Sequence, residues 1–439
     1  MNPLHYGVTP KMRPLSRKRP AVVAALDIGT SKVACLVARL KPYGPQEVLR
    51  RRTHVVELLG LGHTVARGMK AGGVVDLAEV EQVLRQTIDV AERNASVQLE
   101  SVVLSVSAGR LASECYAACV NVGGTVSEGD IGRVLAAGSR HSVREGRVVL
   151  HSLPIAYTVD DTRGVHDPRG MLARQFGVDM HVVTAEVAAA RNLMLAVERC
   201  HLGVEAMAAS PYVAGLSVLA DDEADLGAAV VDLGAGTTTI AVFSGGRFIH
   251  ADGFALGGHH VTMDLARALD ARIADAERIK TFYGTVLSGG LDERAMITVP
   301  SSVGDEDQPP QFVPRGSLVR FIKPRVEEIL EMVRDRLAAS PFAAESRARV
   351  VLTGGASQLT GLTEMAARMF GRPVRIGRPL GISGLTEAAK GPAFAVAAGL
   401  LVYPQAAHLE HFEPRRTRQL MTGTGGYIAR VGRWLRESF

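Results

Sequence analysis

Ala24-Ala25-Leu26-Asp27-Ile28-Gly29-Thr30-Ser31-Lys32 is an apolar run that meets an acid, a glycine and two hydroxyls. It has an echo about 200 residues later, Val230-Val231-Asp232-Leu233-Gly234-Ala235-Gly236-Thr237-Thr238-Thr239. Each stretch continues into a second apolar run, Val33 to Leu40 and Ile240 to Phe243. Each therefore reads as two β-strands joined by a tight hairpin. Glycine opens backbone conformations in which several N–H groups converge on one point, and Thr30, Ser31, Thr237 and Thr238 add short donors. Such a turn grips phosphate oxygens. The carboxylate at its head is repelled by phosphate, but it can orient the waters of a Mg²⁺ that bridges the phosphates. One copy alone is equally well an ordinary hairpin. Two copies heading two halves predict a duplicated fold whose hairpins close on one nucleotide. No P-loop follows a strand, and no G-x-G-x-x-G opens a helix.

A chain of 439 residues, 47% apolar with 46 glycines, has the length for two or more domains with real cores and the composition of an α/β protein. Its net charge of +5 is unevenly spread. Residues 1–20 carry Lys11, Arg13, Arg17, Lys18 and Arg19 and no acid; residues 415–439 carry six arginines and only Glu437. Without these ends, 39 basic and 44 acidic residues remain. A mildly acidic body argues against nucleic-acid binding, and basic ends suit an anionic partner such as a membrane surface. Cys35, Cys115, Cys119 and Cys200 are scattered and read as buried thiols in a reducing cytosol. His259-His260 reads as a turn or helix start. With no apolar leader and no apolar run expected to span a bilayer, a cytoplasmic protein is expected.

Taken in order, residues 1–19 read as disordered. Strands are expected at 22–40 as the first hairpin, then at 58–63. A helix is expected at 77–94, where Val80, Val83, Leu84, Thr87, Ile88 and Ala91 share one face. An insert at 98–180 holds strands at 102–107, 117–122 and 148–159 and a helix at 128–138 behind Ser127 as N-cap. A strand at 181–185 leads to a long helix capped by Thr184 and stopped near Gly203. Three strands follow at 228–231, 238–243 and 247–251, with Gly245-Gly246 as a hairpin turn. Gly257-Gly258 precedes a helix, and the next helix carries Glu277 and Lys280. Residues 300–316 read as loop, within an insert at 270–317. A helix at 318–338 leads to the strand Val350-Val351-Leu352-Thr353, which breaks at Gly354-Gly355-Ala356, followed by a helix bearing Leu359, Leu362, Met365 and Met369. A last helix at 392–403, rich in Ala and Gly, can pack closely against another element.

Residues 405–425 read as a flexible linker. In 426–439, Tyr427, Ile428, Val431, Trp434, Leu435 and Phe439 fall on one helical face, with Arg430, Arg433 and Arg436 opposite. That pattern, too short to cross a bilayer, suits a helix lying in the membrane interface with arginines near anionic headgroups.

These features resemble the actin/Hsp70/sugar-kinase ATPase superfamily, and within it the FtsA family of bacterial cell-division actin homologues. The likeness rests on Leu26-Asp27-Ile28-Gly29-Thr30, Arg67-Gly68-Met69, Leu150-His151, Val197-Glu198-Arg199-Cys200, Val351-Leu352-Thr353-Gly354-Gly355-Ala356, Gly381-Ile382-Ser383-Gly384-Leu385-Thr386 and Trp434-Leu435-Arg436. It covers about residues 20–439. The resemblance implies an actin-like fold of two duplicated RNase H-like domains around a nucleotide cleft, each with an inserted subdomain. In that scheme subdomain 1A spans 20–97, 181–208 and 384–404, and 1C spans 98–180. Subdomain 2A spans 209–269 and 318–383, and 2B spans 270–317. It implies ATP and Mg²⁺ as ligands. Asp27 and Asp232 would hold Mg²⁺ through water. Gly29, Thr30, Ser31, Lys32, Gly234, Gly236, Thr237 and Thr238 would contact phosphates. Gly354, Gly355 and Ala356 would flank the adenosine, with Glu277 and Lys280 at its ribose and base.

The implied role is a polymerising tether that anchors the ring of the tubulin-like division protein FtsZ to the cytoplasmic face of the inner membrane and recruits later division proteins. Arg315 and Arg320 are candidates for meeting the FtsZ C-terminal peptide. The 98–180 insert would support filaments of this chain with itself. Two departures stand out. Ala235 occupies a position where glycine is common in the family. Glu186 is the one candidate for activating water, and it reads as well as a surface acid at a helix start, so slow or negligible hydrolysis is expected. The competing reading is a small-molecule kinase of the same fold, which has no use for an amphipathic tail.

Overall fold

The computed structural model describes residues 9–16, 18–43, 52–108, 110–140, 144–288, 294–300, 311–344 and 349–412. These divide into two compact units. The larger comprises residues up to Tyr116, Ser142–Ile155 and Asp179–Glu410.

The larger unit is built on two sheets of the same plan. In the first, the strand Ala21–Ile28 pairs antiparallel with Lys32–Pro42, which pairs antiparallel with His54–Val65. On the other side of Ala21–Ile28, Ser101–Val106 and then Gly203–Ala209 add in parallel. In the second sheet, Ala228–Leu233 pairs antiparallel with Thr238–Ser244, and that with Arg247–Phe254. Val350–Thr353 and then Val374–Ile376 add in parallel on the other side. Both sheets thus run third-second-first-fourth-fifth strand, with a short sixth, Ile382–Ser383, beside His54–Val65 in the first. The duplication that two hairpins suggested extends to the whole strand order. A strand that joins parallel to its neighbour needs a long crossover, and the helices Leu77–Ala95, Val187–Arg199, Gly258–Leu269, Leu318–Ala339 and Leu362–Phe370 supply those crossovers.

Burial follows the period of each element. On Ala228–Leu233, Ala228 and Val230 enter one apolar core, while Ala229, Val231 and Leu233 enter another on the opposite face, as alternating side chains of a strand covered on both sides must. The helix Leu77–Ala95 buries Val80, Val83, Leu84, Thr87, Ile88 and Ala91, the expected face. The helices Ser210–Val218 and Ala395–Ala406 are buried almost all round and cross closely: a Cβ on Gly399 would stand 1.8 Å from the Val213 carbonyl oxygen.

The smaller unit comprises Ala117–His141, Ala156–Val178 and the residues from His411. Its helix, Glu128–Gly138, starts in a capping box in which the Ser127 hydroxyl accepts from Asp130 N and the Asp130 carboxylate accepts from Ser127 N. Strands Ala112–Thr125, Leu172–Glu186, Arg147–Val159 and Thr162–Val165 form a four-stranded sheet with Leu172–Glu186 and Arg147–Val159 at its centre.

Several expectations are corrected. Within the N-terminal segment Thr9–Ser16 is packed on the body: the Thr9 hydroxyl donates to Val149 O at 3.0 Å, and Met12 and Leu15 pack on the core, so a few apolar anchors outweigh the basic composition. Of the four cysteines Cys35 is buried and Cys200 half-buried, while Cys115 and Cys119 are exposed. Thr184 does not cap a helix. Its strand runs on to Glu186 and its hydroxyl accepts from Arg147 Nε. His201, with φ of 61°, takes the left-handed position assigned to Gly203. Leu359 precedes its helix, after the short 3-10 turn Gly355–Gln358. Residues 311–314 form a strand paired with Met296–Val299; 301–310 lie outside the described residues. The linker begins later than 405, since helix Ala395–Ala406 and the turn Ala407–Leu409 continue through that point. Pro392–Leu409 is an uncharged run of spanning length, contrary to the sequence reading, and it is 78% buried in the core. The amphipathic segment 426–439 lies outside the described residues.

Candidate functional site

Both hairpin turns are closed by the same bond. Gly29 N donates to Lys32 O, and Gly234 N donates to Thr237 O, each at 2.9 Å. At each glycine a Cβ would stand 2.8 Å from that same acceptor oxygen, so both turns require glycine at this position. The first turn is braced from outside by Ala66 N on Ser31 O at 2.9 Å and by Gly72 N on Thr30 Oγ1 at 3.0 Å. The second is braced by the start of helix Gly258–Leu269, where Gly258 N and His259 N donate to Gly234 O and Ala235 O. These bonds engage turn carbonyls and the Thr30 hydroxyl with protein donors.

The two turns and the Thr353-Gly354-Gly355-Ala356 corner open on one cavity of about 1030 Å³. Of the expected nucleotide residues, Asp27, Gly29, Thr30, Ser31, Lys32, Asp232, Gly234, Thr237, Glu277, Lys280, Gly354, Gly355 and Ala356 line it. Gly236 lies where the two turns meet: a Cβ there would stand 2.5 Å from Thr30 Oγ1. Thr238 is buried and donates its hydroxyl to Leu256 O at 2.8 Å, so it fixes the turn's far side and has no cavity face. Glu186 does not line the cavity. It is half-exposed at the start of helix Val187–Arg199, 3.9 Å from Arg110 Nε.

Asp27 and Asp232 share this enclosed space. Burial in the cavity wall, together with repulsion from Asp27, pushes the Asp232 carboxyl up to about 7, against the pull of Lys32. Burial also raises Asp27, opposed by the Ser105 hydroxyl, which donates to Asp27 Oδ1 at 2.7 Å. Lys32 is the matching cation: its Nζ donates to Ala393 O at 2.6 Å and stands 3.3 Å above the centre of the Phe394 ring, and burial lowers it to about 8. Two half-buried acids and one lysine on the wall of a single cavity make a site suited to a divalent cation and an anion together. Among the described residues no group of three or more His, Cys, Asp or Glu side chains converges on a metal position. A hard cation such as Mg²⁺ fits two carboxylates with water and phosphate oxygens completing its shell.

The opposite wall is built by close approach. Gly354 has φ of 83°, and a Cβ there would stand 2.3 Å from Asp232 Oδ1. Its N–H donates to Pro392 O at 3.1 Å. Lys280 Nζ donates to Glu277 Oε2 at 2.7 Å, Thr262 Oγ1 at 2.9 Å and Gly258 O at 3.0 Å, which seats this pair beside the second turn. Gly257, Gly258, Ser107, Ser210, Gln358 and Ala393 also line the cavity, and the sequence reading had not placed them there. Gly257-Gly258 was visible as a helix start; the other four carry no local signal.

Arg315 and Arg320 lie away from the cavity. Arg315 Nε donates to Tyr283 O at 3.3 Å, while Arg320 borders a separate depression of about 320 Å³ with Phe321, Arg325 and Glu328.

Comparison with known proteins bears on the whole chain. The model of the family described as "Cell division protein FtsA" matches residues 229–399, and that of the "SHS2 domain inserted in FTSA" matches 109–184. The chain is 51% identical over 437 residues to the cell division protein FtsA of Agrobacterium fabrum, covering 99% of this chain and 98% of that one. It is 34% identical to the protein of the same name from Escherichia coli K12, over 95% of this chain and 98% of that one. Among solved structures, the PilM-PilN type IV pilus biogenesis complex aligns with a TM-score of 0.58 at 18% identity, covering 87% of this chain and 98% of that one. MreB5 of Spiroplasma citri bound to ADP aligns with a TM-score of 0.52 at 13% identity, covering 89% and 98%. These structural likenesses bear on the fold alone, which is that of the actin-like proteins.

Proposed function

The chain belongs to the FtsA family of bacterial cell-division proteins, and from that premise we propose that it binds ATP with Mg²⁺ in the cavity between its two hairpin turns. Bound there, it acts as a polymerising tether for the FtsZ ring at the cytoplasmic face of the inner membrane, where later division proteins gather. The observation that carries the nucleotide reading is the pairing of two glycine turns of the same geometry, each led by an aspartate, on one cavity. The MreB5 structure of the same fold is bound to ADP, which supports a nucleotide as occupant.

In this reading the backbone N–H groups of Thr30–Lys32 and Ala235–Thr237 donate to the phosphate oxygens, the N–H groups of Gly29 and Gly234 closing the turns, and Lys32 exchanges Ala393 O for a phosphate. Asp27 and Asp232 would hold a magnesium ion through water, and that ion would supply charge neutralisation for the phosphates. Gly354 and Gly355 let backbone approach the flat base, and Glu277 and Lys280 face the sugar. With Glu186 outside the cavity, the lining carboxylates are Asp27, Asp232 and Glu277, the last held by Lys280 and the Thr262 hydroxyl. Among the described residues no further acid lines the cavity to activate water, and in this reading the nucleotide acts chiefly as a ligand of assembly. The tether role rests on the family and on the amphipathic pattern of 426–439. Weak helices in one filament hold a membrane together through avidity. A small-molecule kinase gains nothing from such a tail, and relatives at this identity carry a cell-division name.

Co-sedimentation with anionic vesicles and FtsZ, with and without Mg-ATP, tests the reading. FtsZ is expected to pellet with vesicles only when this chain is present. FtsZ left in the supernatant under all conditions contradicts the tether role.

A further inference from the structure

Leu150-His151 is a sequence pair that the nucleotide reading leaves unused. His151 is fully buried on the strand Arg147–Val159. Its Nε2 accepts the backbone N–H of Ala209 at 2.8 Å. The ring proton therefore sits on Nδ1, which donates to Glu410 Oε1 at 2.6 Å. The Glu410 side chain is 3% exposed and also accepts from the Tyr403 hydroxyl at 3.1 Å. Lys11 contributes a half-buried positive charge nearby, held by Thr9 Oγ1 at 2.9 Å and by the Leu150 carbonyl.

The two ends of this relay differ in kind. Ala209 is the residue before helix Ser210–Val218, a helix with no side-chain cap, and Ser210 lines the nucleotide cavity. Glu410 ends the larger unit, and the chain continues from it directly into the segment that carries the amphipathic residues 426–439. One imidazole therefore joins the cavity wall to the base of the C-terminal segment. A buried carboxylate is a costly way to join two elements that apolar side chains could join as well. Its value lies in direction: a shift of the Ala209 amide weakens one side of the ring and is felt by the carboxylate on the other.

We propose that His151 and Glu410 are a positioning pair that couples occupancy of the nucleotide cavity to the base of the C-terminal segment, so that nucleotide sets how firmly residues 403–410 are held. The coupling rests on the nucleotide reading above, and the test separates the two.

Hydrogen exchange of the full chain is measured with and without Mg-ATP, alongside binding of a fluorescent ATP analogue. In the wild type, Mg-ATP is expected to change exchange at 403–410 by about fivefold or more, the lower range of allosteric couplings. In Glu410→Ala that response is lost while ATP binding and the protection of the two turns remain. Glu410→Gln, whose amide oxygen still accepts from Nδ1–H, restores it. A purely structural pair would raise exchange equally with and without nucleotide. ATP binding without any response at 403–410 in the wild type overturns the coupling, and so does an undiminished response in Glu410→Ala. Should that variant fail to fold, Tyr403→Phe carries the test, with a weakened response expected and an unchanged one overturning the proposal. Absence of ATP binding overturns the nucleotide reading itself and the coupling with it.

Discussion

Asp232 holds its proton to about pH 7 in the folded chain, against 3.8 for a free aspartate. Between those values the folded state keeps a proton that the unfolded state releases. Rising pH from about 4 to about 7 therefore costs the ligand-free protein stability, on the order of a few kcal/mol from this group. Asp232→Asn removes the charge and the cost. The variant is expected to melt above the wild type at pH 8 without ligand, and to bind Mg-ATP at least about tenfold more weakly, a loss of about 1.4 kcal/mol. A variant that melts below the wild type at pH 8 contradicts the electrostatic account. Gly354→Ala acts on the same group by contact. Its Cβ meets Asp232 Oδ1 at 2.3 Å, at φ 83° and ψ 165°, a region almost confined to glycine that costs a side chain roughly 1–3 kcal/mol. Fluorescent-ATP titration is expected to show a larger loss in binding than the melt shows in stability. Most of this site was legible, because aspartate, glycine and hydroxyls in a short turn carry their chemistry locally. Thr238 was misplaced because the direction of a side chain leaving a strand depends on neighbours distant in sequence: Leu256 O takes the Thr238 hydroxyl. Glu186 sits as the surface acid at a helix start that the sequence also offered. Ser107, Ser210, Gln358 and Ala393 reach the cavity through tertiary packing alone.

Ser127 and the six-residue stripe of Leu77–Ala95 show what elements disclose in sequence: a cap and a period of 3.6 are written within one element. The order of strands is not. Nothing in Val350–Thr353 says that it lies parallel to Ala228–Leu233, more than a hundred residues earlier, because long-range pairing is decided by which buried faces remain to be covered. The crossing of Ser210–Val218 with Ala395–Ala406 sits between these cases. The small residues near Ala395–Gly399 announced a close contact but not its partner. Gly399→Ala places a methyl group 1.8 Å from Val213 O. The helices must separate, at about 1–3 kcal/mol for overpacking and more if the backbone cannot shift. Urea unfolding is expected to show a lower midpoint with an unchanged slope. An unchanged midpoint means that the crossing is looser than described. The buried run Pro392–Leu409 teaches the complementary lesson: composition alone cannot tell a core helix from a membrane one.

For the whole molecule, the unequal charge of body and ends was the most informative bulk property, and it pointed to an anionic surface. Half of that inference changed on inspection of the fold. Part of the basic N-terminal stretch, from Thr9 to Ser16, packs against the body, where the half-buried Lys11 donates to the buried Thr9. The C-terminal arginines remain the membrane candidates. Deleting 426–439 is expected to abolish pelleting with anionic vesicles while leaving fluorescent-ATP affinity within about twofold, since among the described residues the cavity lining ends at Val396 and the deletion leaves Tyr403–Glu410 and its bonds to His151 in place. Pelleting that survives the deletion assigns membrane binding elsewhere. The account as a whole rests on a single nucleotide gripped from both halves of the duplicated fold. The direct measurement is a crystal structure of the chain grown with Mg²⁺ and a non-hydrolysable ATP analogue. It should show one triphosphate touching both Gly29–Lys32 and Gly234–Thr237, with the metal between Asp27 and Asp232. A triphosphate held by one turn alone, or density outside this cavity, would contradict it.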